Sequence, residues 1–257
     1  MGAPEKFVAW LAAHEHRDRK YGHVYRYHPR SGAHSIALCT FILEDVAERC
    51  VVLREHAKEG RIAYGINVVH VWPNGKRKTI DLAVGTPADL APAGGTVAGI
   101  ASATAFSQVL ISCEAKTVMT EHKKSQPRIF DELSSSHEIV HQGRRDAIAA
   151  GITVVNISES FVSPLRQRSR KKIVVTRHRQ PHVAEATLMH LRGLPIREEV
   201  GRVGFDAYCS FVVSCDNRTG ARLWTDTPAP QAGDPDHYDS FVARIASCYA
   251  ERFGVVP

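Results

Sequence analysis

The run Val109-Leu110-Ile111-Ser112-Cys113 leads directly into Glu114-Ala115-Lys116. Its length and β-branched content read as a strand buried on both faces. Such a strand needs cover on both sides, which confines the chain to a covered sheet. An acid and a lysine two positions apart on a strand share a face. At the end of a buried strand, the acid can hold a divalent cation while the lysine polarises a water or an oxyanion. The competing reading is an exposed strand-end ion pair. The triplet is cheap by itself: Glu121-His122-Lys123 repeats it with no strand ahead of it.

A second acid lies upstream in Lys78-Thr79-Ile80-Asp81-Leu82-Ala83-Val84-Gly85, another short apolar run with one carboxylate. Two carboxylates converging from adjacent strands form an oxygen-rich pocket suited to Mg²⁺. Without a cation, burying both is costly. Residues 62–72, Pro73-Asn74-Gly75 and residues 78–84 read as a hairpin, since Asn-Gly between apolar runs is a strong turn signal. Pro127 suits the first turn of a helix reaching about residue 141, and 151–157 is a further buried strand. Strand, helix and strand over 109–157 imply a right-handed parallel crossover. A helix over 35–50 precedes these elements, with Ala37, Phe41, Glu44 and Glu48 on one stripe and Ile42 and Val46 beside it.

Asp81 in Ile80-Asp81-Leu82, together with Glu114-Ala115-Lys116, resembles the PD-(D/E)xK nuclease superfamily over roughly residues 35–160. Isoleucine stands where the motif has proline. The resemblance implies an α/β fold: a restriction-endonuclease-like core with a mixed central sheet flanked by helices, and a C-terminal α+β elaboration over 161–257 within a single domain. It implies a Mg²⁺-dependent endodeoxyribonuclease of restriction type, or an antiphage defence nuclease, working on duplex DNA as a homodimer. Asp81 and Glu114 would ligate Mg²⁺, and Lys116 would orient the attacking water and offset charge on the phosphorane. The first helix of that fold sometimes lends a glutamate to the metal, for which Glu44 is the candidate and Glu48 the next.

Charge agrees with a polyanionic partner. The chain of 257 residues carries a net charge of +6 and a pI of about 9.1, which favours such a partner without specifying one. Seven of the fifteen residues over 166–180 are basic: Arg166, Arg168, Arg170, Lys171, Lys172, Arg177 and Arg179. That density favours phosphate contacts over a merely solvated run, with a short strand expected at 173–175. Residues 16–30 interleave basic side chains with Tyr21, Tyr25 and Tyr27, which suits either base stacking or a solvated arm. The Ala-, Gly- and Pro-rich stretch 85–108 reads as part loop and part short helix over 96–106, either a flap or an insertion. Helices over 4–14, 181–192 and 236–253 and a hairpin over 207–215 and 221–224 complete the chain.

Six scattered cysteines with no CxxC pair suggest reduced core thiols. No apolar run approaches the roughly 20 residues that span a bilayer, and the charged first twenty residues lack a signal-peptide core, so a cytoplasmic protein is expected. One motif competes with the nuclease reading. His137-Glu138-Ile139-Val140-His141 fits HExxH, the zinc metalloprotease signature, in which two histidines one helical turn apart hold Zn²⁺ beside a glutamate base, with Glu159 as a third ligand. Its flanks, Ser134-Ser135-Ser136 and Gln142-Gly143-Arg144-Arg145, are polar where a buried zinc helix needs apolar residues. A DNA-binding module whose acids are structural is the reading outside enzymology.

Overall fold

A computed structural model describes residues 1–89 and 95–254. Six strands form one mixed sheet: β1 (Ala63–Val71), β2 (Arg77–Pro87), β3 (Phe106–Val118), β4 (Ile148–Asn156), β5 (Ala207–Cys215) and β6 (Ala221–Trp224). Their spatial order follows the chain order. β1–β2, β2–β3 and β5–β6 pair antiparallel, while β3–β4 and β4–β5 pair parallel. The parallel centre explains the composition of β4, which is buried along its whole length, as strands covered on both faces must be.

Helices cover both faces. α1 (Ala3–Ala13), α2 (Ala33–Arg49), α3 (Val51–Lys58) and α6 (Tyr238–Phe253) bury Phe7, Leu38, Ile42, Leu53 and Phe241 against Leu82, Cys113 and Val154. On the other face, α4 (His122–Gly143) and α5 (His182–Leu191) pack Ile129, Leu133, Val140 and Leu188 over Ala83, Ala149 and Val155. The α/β class and the mixed, helix-flanked sheet expected from the sequence are therefore present. The C-terminal segment continues that sheet, because β5 pairs with β4 and α6 lies in the same core as α2. All six cysteines are buried and free. Among the described residues, no helix is long and apolar enough to cross a membrane.

The β1–β2 hairpin turns at Asn74-Gly75, where Gly75 adopts φ +79° and the Asn74 side chain accepts from the Lys76 amide at 3.0 Å. Gly85 meets a tighter demand. It lies at a register shift in the β2–β3 pairing, and a Cβ built there would fall 2.0 Å from the Gln108 carbonyl oxygen. Gly85→Ala is therefore expected to push the two strands apart and destabilise the protein by about 1–3 kcal/mol. A urea midpoint equal to that of the wild type would contradict this.

Four local expectations are corrected. No helix forms over 96–106. Thr96–Val97 pairs with Ile100–Ala101, and Ala98 and Gly99 both take positive φ, the geometry of a two-residue hairpin turn. Ile100 is thereby carried into the core. Of the stretch read as flap or insertion, residues 90–94 lie outside the described residues. α4 begins at His122, so Pro127 is interior rather than in the first turn. The lost hydrogen bond is offset by burial of Ile129 and Leu133 further along the helix. No strand forms at 173–175; the short strand is Thr176–Arg177, paired with Ser160–Phe161. On α2 the buried stripe is Leu38, Cys39, Ile42, Leu43, Val46 and Ala47, and Glu44 and Glu48 lie outside it.

Candidate functional site

Pairing between β2 and β3 runs as far as Leu82 opposite Cys113. Beyond that point a side chain replaces the backbone acceptor: the Ala115 amide donates to Asp81 Oδ2 at 2.9 Å. Asp81 is thus drawn toward the end of β3, where Glu114 and Lys116 stand. Glu114 is buried, at 6 % exposure. Its Oε1 lies 2.6 Å from Lys116 Nζ and its Oε2 2.8 Å from Lys78 Nζ. Ser136 Oγ on α4 donates to Oε2 at 3.3 Å. Lys116 also reaches Glu132 of α4 at 3.3 Å, and Glu132 is held by Arg128 at 2.7 Å. Glu114 and Lys116 thus meet against α4, and Asp81 is bonded to the Ala115 amide between them.

The two carboxyls respond to this environment in opposite directions. Burial, and then the neighbouring Glu114, push Asp81 up to about 6, against the pull of the Ala115 amide and the two lysines. Burial also raises Glu114, but Lys116 and Lys78 outweigh it and hold that carboxyl below its usual range. Buried like charges drive such a split. A divalent cation between the two would relieve it, and two carboxylates with the remaining positions left to water form a donor set suited to Mg²⁺.

Lys78, Ser136 and Glu132 were not singled out by the sequence. Lys78 stands two positions from Ile80, which packs on the α4 face, so alternation puts it on the side where Glu114 meets α4. Ser136 and Glu132 are one helical turn apart, and a contact between α4 and the end of β3 is visible only once the crossover is folded.

From Lys116 and Glu132 a cleft of about 430 Å³ opens past Arg128, Tyr27 and His34 to Arg166. Arg166 pairs with Glu121. His34 is pushed down to about 4 by burial and then by His14 and His28, so it is neutral at physiological pH. Arg168, Arg170, Lys171, Lys172, Arg177 and Arg179 are exposed. Their loop is fastened by the buried Gln167, whose amide donates to the Ser163 and Val174 carbonyls and accepts from the Val174 amide, each at 2.9 Å. His23 pairs with the Ser169 carbonyl at 2.9 Å and ties in the N-terminal ribbon. In that ribbon, His16–Arg17 pairs with Val24–Tyr25. Tyr25 and Tyr27 are buried, so they support the fold rather than offering faces for base stacking.

Glu44 does not join the carboxylates. It lies 2.9 Å from Lys6, which also holds Asp45 at 3.0 Å, so it ties α2 to α1. Glu48 is exposed. Among the described residues, no group of three or more His, Cys, Asp or Glu side chains is placed to hold a metal ion, which leaves Asp81 and Glu114 as a pair. The same finding bears on the HExxH segment. His137 and His141 share a face of α4, with ring centroids 6.2 Å apart, but His141 Nε2 is engaged by Asp206 at 3.2 Å. Glu138 and Glu159 are exposed, so no third ligand assembles with the two imidazoles. No family model, no curated protein and no solved structure matches this chain.

Proposed function

We propose that this chain is a Mg²⁺-dependent endodeoxyribonuclease with a restriction-endonuclease-like core, of the restriction or antiphage defence kind. The observation carrying this reading is the meeting of Asp81, Glu114 and Lys116 at the parting of β2 and β3, with Asp81 held on the Ala115 amide. The order of elements supports it: helix α2, hairpin β1–β2, strand β3, helix α4 and parallel strand β4 follow the arrangement expected of that core. The basic loop over 166–180 is the candidate DNA-binding surface, since Arg166 lines the same cleft as Lys116.

In this reading Asp81 and Glu114 hold Mg²⁺, which supplies Lewis-acid polarisation of the scissile phosphate. Lys116 orients the attacking water and offsets charge growing on the phosphoryl oxygens. Lys78 keeps Glu114 ionised. Arg166 and the exposed arginines and lysines beyond it hold the flanking phosphates, an attraction that weakens with salt. Cutting both strands at one place calls for two such sites, hence a homodimer.

A plasmid digest tests the mechanism. Supercoiled DNA with Mg²⁺ is expected to be nicked or linearised by the wild-type protein, and Lys116→Ala is expected to lower the rate by about 10²–10³-fold. Equal cleavage by both proteins would remove Lys116 from the chemistry. A second reading, a non-catalytic DNA-binding module, is favoured by one observation: both oxygens of Glu114 are already ion-paired. It predicts binding in a gel shift that survives Asp81→Asn, with no metal-dependent cutting by any variant.

A further inference from the structure

His137 is 1 % exposed, and neither of its ring nitrogens has a hydrogen-bond partner. Burying an imidazole with both nitrogens idle costs stability, so the position calls for something that it binds. The ring borders a cleft of about 450 Å³ between α4 and the segment 197–203, which Arg145, Arg202 and Glu138 also line. Arg145 and Arg202 are exposed, and among the described residues their side chains make no hydrogen bond or ion pair. Two unengaged guanidiniums face one carboxylate at this mouth. The deeper Arg197 is neutralised by Asp206 at 2.8 Å.

We propose that this cleft is a binding site for a phosphate-bearing ligand, gripped by the guanidiniums of Arg145 and Arg202 with an imidazole N–H of His137 completing the contact. Donors from three separate side chains match the several oxygens of a phosphate better than the two of a carboxylate, and guanidinium pairs with phosphate bidentately. A metal does not fit, since His141 already serves Asp206 and, among the described residues, no third ligand converges. Burial, followed by the nearby His141 and Arg197, pushes His137 down to about 4, so one ring nitrogen carries the donated proton at neutral pH. The site lies outside the carboxylate–lysine centre, but the residue before His137 is Ser136, which donates to Glu114.

Calorimetric titration of the full chain with inorganic phosphate, with AMP and with a short DNA duplex tests the proposal, using chloride at matched ionic strength as the control. Phosphate or AMP is expected to bind the wild-type protein, and the Arg145→Ala/Arg202→Ala double variant is expected to weaken that binding about tenfold or more, about 1.4 kcal/mol. If only the duplex binds in an arginine-dependent way, the phosphate belongs to a polynucleotide backbone, and the site stands. If the double variant binds all three probes as the wild type does, or if no probe binds better than chloride, the proposal is overturned. His137→Phe, which fills the cavity with an apolar ring, is expected to keep the thermal midpoint and lose phosphate affinity. Unchanged affinity would remove His137 from the site. These readouts do not involve cleavage, so they stand or fall apart from the nuclease reading.

Discussion

Asp81→Asn is expected to make the metal-free protein more stable at pH 7 and, if the proposed nuclease function holds, to lower Mg²⁺-dependent cleavage about a hundredfold or more. The Asp81 carboxyl ionises near 3.8 ordinarily and is raised to about 6 in the folded chain. The folded state therefore binds this proton more tightly than the unfolded state does. Its stabilising share is complete below about pH 4 and is lost as pH rises through about 6. A rise of that size sets an upper bound of about 3 kcal/mol; partial exposure and the nearby lysines bring the expected gain to about 1–3 kcal/mol. Asparagine keeps an oxygen to accept the Ala115 amide, so the local strand geometry survives. Glu114 acts with the opposite sign: its depressed carboxyl adds stability above its unfolded value and loses it as pH falls. The variant should therefore lose the decline between about pH 4 and 6 and keep only the acid-side loss. Urea unfolding in EDTA at pH 4.5 and pH 7 measures this. Equal pH dependence in both proteins would show that Asp81 is not strained by its neighbour. In the proposed nuclease, where Asp81 would hold Mg²⁺, the substitution should reduce cleavage by about a hundredfold or more.

Removing Asp206 should have the largest effect on folding. Its carboxylate is completely buried and receives Arg197 through Nε at 2.8 Å and Nη2 at 3.0 Å, Arg252 at 2.5 Å, His141 at 3.2 Å and the Ala149 amide at 2.8 Å. Burial alone would raise this carboxyl, but those partners overcome it and hold it well below the usual carboxylate range. Arg197 is itself buried, at 1 % exposure, so Asp206→Ala would leave a guanidinium charge without compensation inside the protein. Breaking a buried pair from one side costs about 3–5 kcal/mol. For a folded-state carboxyl held below its unfolded value of 3.8, the contribution is present above that value and is lost as pH falls through and beyond it. Wild-type protein should accordingly lose stability on acidification below about pH 4, and Asp206→Ala should lack that component. A denaturation difference under about 1 kcal/mol at pH 7 would mean that the cluster is only a bystander to folding.

The chain's local signals were strong wherever one period or one turn type explained a segment. The apolar run before Glu114 read as a covered strand, Asn74-Gly75 as a hairpin turn, and 207–215 with 221–224 as a second hairpin across 216–220, all found in place. The acid, acid and lysine were legible because each ended or interrupted such a run. Asp206, by contrast, is a single acid in Gly204-Phe205-Asp206-Ala207, and nothing nearby in sequence marks it as the partner of Arg197, Arg252 and His141.

What the sequence alone determined was the six strands of the central sheet, the two-sided burial of β3 and β4, and the presence of a carboxylate within β2 and another with a lysine toward the end of β3. Tertiary structure alone decided which side chains complete that centre. Lys78, Ser136 and Glu132 reach it from another strand and from the crossover helix, while Glu44 was drawn to Lys6 on α1 instead. The reason is physical: apolar periodicity records the burial of each segment separately, whereas an ion pair depends on where two separate segments come to rest, and no local pattern carries that information.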